Sequence, residues 1–454
     1  MSLDCFFKPK SIAVIGASHD EKKIGYVILE SLACCYKGKI YPINPNTEPI
    51  MDMKVYASIL DVPGEIDMAV ISIPAKLVPS VLKECVKKNI GAVVIVSGGF
   101  SEIGNKKLER DLHKIIRGTK TRVIGPNCLG IYDTNSDVDT IFLSRGRCGR
   151  PNEGNISFVS QSGAVGSTIL DWLSDQETGV GRFVSYGNGV DVTESDLIEY
   201  FGDDKNTGVI AVYLEGIKDD GRRFIEVCKK VSRKKPIVIL KAGKSEKGKE
   251  AVSSHTGSLA GSGKIYSGAF RQAGIIEAED WEDLFDFSRA FSNQPRAKGK
   301  RTLIVTDGGG FGVLATDEAE RSKLELPEPS AKLKKRLEKK LPEHAVIQNP
   351  IDLTGDANAD RYMVTLEETM KSGEFDNFVV ITLFQVTTLD EHVVDYLIKL
   401  KKYKKPIVVC STGGGFSQKM NKKLRKNGIP VTPSPERALR TIAALNQYSK
   451  YLSS

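Results

Sequence analysis

The residue best placed to carry a group between two sites is a histidine set among serine, glycine and alanine. His255 lies in Ser253-Ser254-His255-Thr256-Gly257-Ser258-Leu259-Ala260-Gly261, just past the Lys-rich turn 241–249. The chain has five histidines, and the other four (His19, His113, His344, His392) stand in charged or helical surroundings that suit a surface position. A stretch this rich in small residues is expected to be a mobile loop, with room for an imidazole to swing. On local spacing alone, a hydrogen-bonded loop histidine and a nucleophilic one are equally good readings. Two features elsewhere favour the nucleophile. Gln161-Ser162-Gly163-Ala164 opens a helix directly after the strand ISFVS. Such a helix start offers unpaired N–H donors and a positive dipole end to a phosphoryl group. Glu215 ends the strand VIAVYLE. A carboxylate accepting the Nδ1 proton would leave Nε2 free to attack phosphorus and would stabilise the cationic phospho-imidazole.

A second set of candidate residues lies earlier. Gly16-Ala17-Ser18 follows the strand SIAVI, and Gly25 sits just inside the next helix. Small residues there let backbone N–H groups approach a phosphate, although Ser18 stands where a dinucleotide motif has its second glycine. The second strand runs into Ile43-Asn44-Pro45-Asn46 with no carboxylate to hold an NAD ribose, which makes a nicotinamide dehydrogenase the poorer reading. Ser72-Ile73-Pro74, Ser97-Gly98-Gly99 and Gly125-Pro126-Asn127-Cys128 follow at later strand ends. Each alone reads as a turn, but their recurrence suits a groove for a long, flexible ligand ending in a thiol. Cys128 has no neighbouring histidine or activating charge and reads as a buried small apolar side chain rather than a nucleophile.

Parallel α/β units must position these residues, because strand-like apolar runs alternate with helical stretches throughout. Residues 1–131 read as a Rossmann-like domain, with 132–153 a polar connector. The remainder carries a diverged repeat. NISFVSQSGAVGSTILDWL is echoed by RTLIVTDGGGFGVLATDEA, TGVIAVYLEGI by NFVVITLFQVT, and KKPIVILKAGKS by KKPIVVCSTGGGFS. This order implies two related flavodoxin-like domains, 150–291 and 301–454, joined by the linker 292–300. The second copy has Gln385 opposite Glu215 and no counterpart of His255, so the chemistry belongs to the first copy.

The composition agrees with folded α/β domains: 454 residues, 40% hydrophobic and 27% charged, with 42 Gly and 19 Pro. No apolar run is long enough to span a membrane, and the N-terminus lacks the sections of a signal peptide. The net charge of +8 suits anionic ligands. Basic runs such as KLKKRLEKK carry apolar residues at helical spacing and read as solvated helix faces, not nucleic-acid contacts. The eight cysteines form no CxxC pair, so free thiols in a cytoplasmic setting are expected, with no metal site.

SIAVIGAS, SGGFSE, GPNCLGI, SQSGA and above all SSHTGSLAG resemble the α subunit of the nucleoside-diphosphate-forming acyl-CoA synthetases, relatives of succinyl-CoA synthetase. The resemblance covers nearly the whole chain. It implies a Rossmann-like domain that binds coenzyme A, with Gly16, Ala17, Ser18 and Gly25 near its phosphates. Pro45, Ile73, Pro74, Ser97, Gly98 and Gly99 would lie along the rest of the molecule, and Asn127 and Cys128 near the thioester end. It further implies that His255 is phosphorylated, that Glu215 is its partner, and that Ser162, Gly163 and Ala164 receive the phosphoryl group. The activity implied is reversible conversion of acyl-CoA, ADP and inorganic phosphate to acid, ATP and CoA through an acyl phosphate. Mg²⁺-ADP would be bound mainly by a separate ATP-grasp β subunit in a heterotetramer. Where the family commonly has a lysine this chain has Asn46, and Lys22, Lys23 or Lys54 would take over the CoA-phosphate contact. The alternative is a CoA-binding regulatory or scaffold protein of the same fold without turnover.

Overall fold

The computed structural model describes residues 3–256 and 263–454, with backbone only for 253–256. The chain divides into two compact units, Met1–Asp175 with Gly179–Glu277, and Gln176–Thr178 with Ala278–Ser454.

The first unit contains the strands of two sheets. β1 (Ser11–Ile15), β2 (Lys39–Ile43), β3 (Met68–Ile71), β4 (Ala92–Ile95) and β5 (Arg122–Ile124) form a parallel sheet of order β2-β1-β3-β4-β5. Both faces of its central strands are buried, as a sheet covered by helices on each side requires. Ile12 and Val14 of β1 enter one apolar cluster, whereas Ala13 and Ile15 point into another. The strand order reverses at β1, which opens a crevice beyond the carboxyl ends of the strands.

The second sheet has seven strands: β6 (Gly130–Asp133), β7 (Val138–Asp139), β8 (Glu153–Ser160), β9 (Val180–Ser185), β10 (Val209–Leu214), β11 (Ile237–Lys241) and β12 (Ile276–Ala278), in the order β12-β11-β10-β8-β9-β6-β7. β8 runs parallel to β9 and β10, and β6 runs antiparallel to β9. Part of the stretch expected to be a connector therefore closes the edge of this sheet. One apolar cluster takes in Val70 and Val94 of the first sheet and Val159, Val184 and Val212 of the second.

The second unit carries β13 (Thr302–Thr306), β14 (Val346–Ile347), β15 (Ile351–Asp352), β16 (Asn377–Ile381), β17 (Ile407–Cys410) and β18 (Val431–Thr432), in the order β14-β15-β13-β16-β17-β18. Its β13–β16 pairing repeats that of β8 with β10. The register corrects one detail of the repeat. Ser157 pairs with Ile210 and Leu303 pairs with Phe378, which puts Leu383, not Gln385, at the place of Glu215. Side-chain bonds agree: the Leu383 N–H donates to the Asp307 carboxylate at 3.1 Å, as the Glu215 N–H donates to Gln161 Oε1 at 2.8 Å. Among the described residues no helix is long and apolar enough to cross a membrane.

Candidate functional site

The strand ends of the first sheet build the first crevice. Gly16 follows β1 with φ +94°, a conformation that disfavours any side chain. A Cβ on Gly25 would stand 1.9 Å from the Gly16 carbonyl oxygen, so the helix Ile24–Cys35 begins in backbone contact with this loop. Ala17 is held by the Asn44 amide, which donates to its carbonyl at 2.7 Å, and Ser18 Oγ accepts from the Asp20 N–H at 3.0 Å. Pro45 and Pro74 are exposed beyond the ends of β2 and β3, which flank β1, and Ile73 is half-buried. Of the lysines expected to replace the missing contact at Asn46, Lys54 holds its ammonium 5.0 Å from the centre of the Tyr56 ring, while Lys22 and Lys23 immediately precede the helix Ile24–Cys35.

Toward β4 and β5 the crevice meets the second sheet. Ser97 Oγ donates to the Ile73 carbonyl at 2.6 Å, and the Asn127 N–H donates to the Ser97 carbonyl at 2.9 Å. Asn127 itself has φ +57°. A Cβ on Gly98 would lie 3.2 Å from Asn127 Oδ1, and one on Gly187, just past β9, would lie 2.2 Å from the Asn127 carbonyl oxygen. Gly99 donates its N–H to the Glu102 carboxylate. Asn188 ties the two sheets together, its amide donating to Glu102 and Glu109 at 2.7 Å each. Burial alone would raise the Glu102 pKa, but these donors hold it below the usual carboxylate value.

At this junction lies a cavity of about 270 Å³. Asn127, Cys128, Ser162, Gly163, Ala164 and Glu215 all line it. Six of the sequence-derived residues therefore meet at one place, while Gly16, Ala17, Ser18, Gly25 and Pro45 lie beside β1 and β2. The helix Gly163–Asp175 starts at the cavity wall, where Ser162 Oγ caps it by accepting the Val165 N–H at 3.3 Å. The N–H groups of Gly163 and Ala164 have no acceptor within the helix and are available to an oxyanion. Cys128 is buried, and burial pushes its thiol up to about 12, so it lines the cavity as a neutral, weakly polar group.

Glu215 is clamped from three sides. Gln161 Oε1 accepts the N–H groups of Glu215 and Gly216 at 2.8 and 3.0 Å. Lys241 Nζ donates to the Glu215 carbonyl at 2.8 Å, and the Tyr213 hydroxyl reaches Glu215 Oε1 at 3.4 Å. Burial lowers the Lys241 ammonium to about 8.

His255 lies near the end of a helix, Glu246–Thr256, rather than in the loop expected from its small neighbours. Its side chain, and residues 257–262, lie outside the described residues. The pairing of His255 with Glu215 therefore stands as an expectation.

Sequence reasoning missed Asn188, Lys218 and Phe142, which also line the cavity. Lys218 and Phe142 sit in no small-residue motif, whereas Asn188 stands between Gly187 and Gly189 in a strand-end turn that could have marked it. Asn188 and Lys218 are brought in by the ends of β9 and β10, and Phe142 by the segment after β7. Val96, Leu129 and Phe142 make the cavity's apolar side. Burial holds the Lys218 ammonium below the usual lysine value, opposed by the negative charge of Glu109, Glu194 and Glu215.

Comparison with known proteins agrees with this layout. A CoA binding domain model matches residues 10–134, and a succinyl-CoA ligase like flavodoxin domain model matches 153–291. The acetate–CoA ligase [ADP-forming] I subunit alpha of Pyrococcus furiosus is 42% identical, the alignment covering 99% of this chain and 98% of that protein. The acetate–CoA ligase [ADP-forming] of Methanocaldococcus jannaschii is 43% identical over 97% of this chain, which spans 62% of that longer protein. Among solved structures, a dinucleotide forming acetyl-coenzyme A synthetase 1 of Ca. Korarchaeum cryptofilum, in complex with phosphate and ADP, matches with a TM-score of 0.94 at 38% identity, covering 100% of this chain and 98% of that one. The chain belongs to the family of ADP-forming acetate–CoA ligase alpha subunits.

Proposed function

We propose that this chain is the α component of an ADP-forming acyl-CoA ligase of the acetate–CoA ligase type, working reversibly on acyl-CoA, ADP and inorganic phosphate. One observation carries the reading: the strand-end crevice of the first sheet opens beside a helix N-terminus and Glu215, whose backbone is anchored by Gln161, at one small cavity. Coenzyme A fits the crevice. Backbone contact between Gly16 and Gly25 leaves no side chain to block a phosphate at the helix start, and Ile73, Pro74 and Ser97–Gly99 lead from there toward Asn127 and Cys128. The thioester end then reaches the cavity.

There inorganic phosphate attacks the thioester carbonyl. The carbon–sulfur bond breaks, the acyl–oxygen–phosphorus linkage forms, and CoA leaves as its thiol. The N–H groups of Gly163 and Ala164 hold the phosphoryl oxygens through charge-assisted hydrogen bonds. His255 Nε2 next attacks phosphorus, the acyl–oxygen bond to phosphorus breaks, and the carboxylate leaves. Glu215 accepts the Nδ1 proton and stabilises the charged ring. Losing one oriented donor in such a site slows the reaction by about 10²–10³. ADP finally takes the phosphoryl group at an ATP-grasp site, where Mg²⁺ would neutralise the phosphate charge. We assign that site to a separate β subunit in a heterotetramer. In support, this chain matches 98% of a relative named subunit alpha but 62% of a relative named as the whole ligase. The free thiols suit a cytoplasmic location.

The test is chemical. Incubation with acyl-CoA and phosphate should leave an acid-labile, base-stable phosphate on the chain, and His255→Ala should remove it. Equal labelling of the variant and the wild type would overturn the relay.

A further inference from the structure

We propose that Gln161 and Lys218 are anion-binding residues of the cavity, holding the phosphoryl oxygens together with the Ser162–Ala164 backbone. The inference rests on the reading just given but names two side chains that reading did not need.

Gln161 is fixed by its own hydrogen bonds. A side-chain amide is ambiguous until its partners are known, and here they are both donors: the N–H groups of Glu215 and Gly216. Only the oxygen can accept from them, so the NH₂ group faces the other way. The side chain is 4% exposed, it lines the cavity, and among the described residues Nε2 has no hydrogen-bond partner. A buried amide donor without an acceptor carries a desolvation penalty of about 1–3 kcal/mol. An oxyanion in the cavity removes that penalty.

The repeat supplies a control. The position of Gln161 is taken in the second copy by Asp307, which makes the same type of bond to the Leu383 N–H. A carboxylate satisfies that backbone donor as well as an amide does. The fold therefore has no need of an amide there, and what the first copy gains from it is a pair of unpartnered N–H donors buried at the cavity wall.

Lys218 supplies charge. Its side chain also lines the cavity, its stem passing Gly189, where an added Cβ would meet it at 3.6 Å. Its backbone N–H is spent on Glu194 Oε1 at 2.8 Å, but among the described residues its ammonium makes no ion pair within 4 Å. Glu109, Glu194 and Glu215 approach as negative neighbours without pairing with it. A half-buried cation lining the same cavity as a helix N-terminus and an amide donor suits a tetrahedral anion, with phosphate or the phosphoryl end of an acyl phosphate as its occupant.

The experiment is equilibrium titration of the whole chain with inorganic phosphate, alongside titration with CoA. Gln161→Glu keeps an oxygen for the two backbone donors while replacing NH₂ with an anion. It should weaken phosphate at least 10-fold and leave CoA affinity unchanged. Lys218→Met should weaken phosphate similarly, and Lys218→Arg should restore it. In the wild type, phosphate affinity should fall at high pH as Lys218 loses its proton, and Lys218→Arg should move that fall upward. Wild-type phosphate affinity in both Gln161→Glu and Lys218→Met, with CoA still bound, would overturn the inference and leave the proposed function standing. No phosphate binding by the wild type would overturn both. Should Gln161→Glu lose CoA binding through misfolding, the Lys218 pair decides the outcome.

Discussion

Replacing Gly25 with alanine isolates the first crevice from the second. A Cβ at this position would lie 1.9 Å from the Gly16 carbonyl oxygen, 2.7 Å from its carbon and 3.2 Å from Ala17 Cα, all of them backbone atoms. No flexible side chain can yield. Gly16 cannot retreat freely either, because its own Cβ position lies 2.6 Å from the Ser72 carbonyl oxygen. The helix Ile24–Cys35 must therefore shift outward by roughly 1 Å or more, in an interior packed as densely as an organic crystal. Overpacking of this kind costs about 1–3 kcal/mol. For a unit of this size that corresponds to a fall in Tm of about 2–4 °C per kcal/mol. The displaced helix start also moves the loop assigned to the CoA phosphates. The KM for CoA should rise at least 10-fold, and the KM for phosphate, whose site lies beyond β4 and β5, should hold. Gly163→Ala is the matching control: its Cβ meets only Leu129, at 3.7 Å, so the melting temperature should stay put. Thermal melts and initial rates under varied CoA and phosphate provide the readout. A Gly25→Ala protein with wild-type Tm and CoA dependence would refute the packing argument and the phosphate loop built on it.

The second unit should show a pH dependence traceable to Asp307. Burial pushes its carboxyl up to about 6, so the folded state holds a proton that the unfolded chain releases near pH 4. Stability from this group is complete below the unfolded value and is lost as pH rises through 6, by about 1–3 kcal/mol. Asp307→Asn should raise the melting temperature of this transition at pH 8 and flatten the slope between pH 4 and 6; an unchanged slope would count against it. On the cavity's apolar side, Phe142→Ala should widen the space left for the acyl group. Activity with branched or longer acids should rise relative to acetate by about 10-fold or more, each accommodated methylene being worth about 1–3 kcal/mol. An unaltered acid profile would place the acyl group elsewhere.

The alternation of strands and helices, and the glycine-rich loops at strand ends, were legible because both follow from local chemistry. Buried parallel strands need continuous apolar runs, and loops that approach a ligand need small residues. β6 and β7 were not legible. Tyr132, Asp133 and Asp139 read as polar connector residues, yet Asp133 is buried against Arg182, 49 positions away, and Asp139 against Arg145 and Arg150 of the same stretch, pairings that a polar run does not announce. The helical state of Ser253–Thr256 contradicts the weak helix preference of serine and threonine, an override that propensity cannot foresee. The repeat was visible, but its register at Glu215 needed the pairing of β13 with β16, because apolar strands align almost equally well two residues apart. Gln161 stood inside a recognised motif without its role being apparent, since the direction of an amide depends on donors 54 and 55 positions away. Lys218 carries no sequence signal, and Asn188 is marked only by the flanking Gly187 and Gly189; the convergence of strand ends brings both in.

Only Gly125 to Leu129 separate the last strand of the first sheet from β6, the antiparallel strand that carries β7 at the edge of the second. Cutting the gene at 131, where a module boundary would naturally be drawn, would divide β6 and leave β9 with an open flank, a template for aggregation. Exchanging the first-sheet module between relatives will succeed only when the donor fragment brings β6 and β7 along with it, through residue 139.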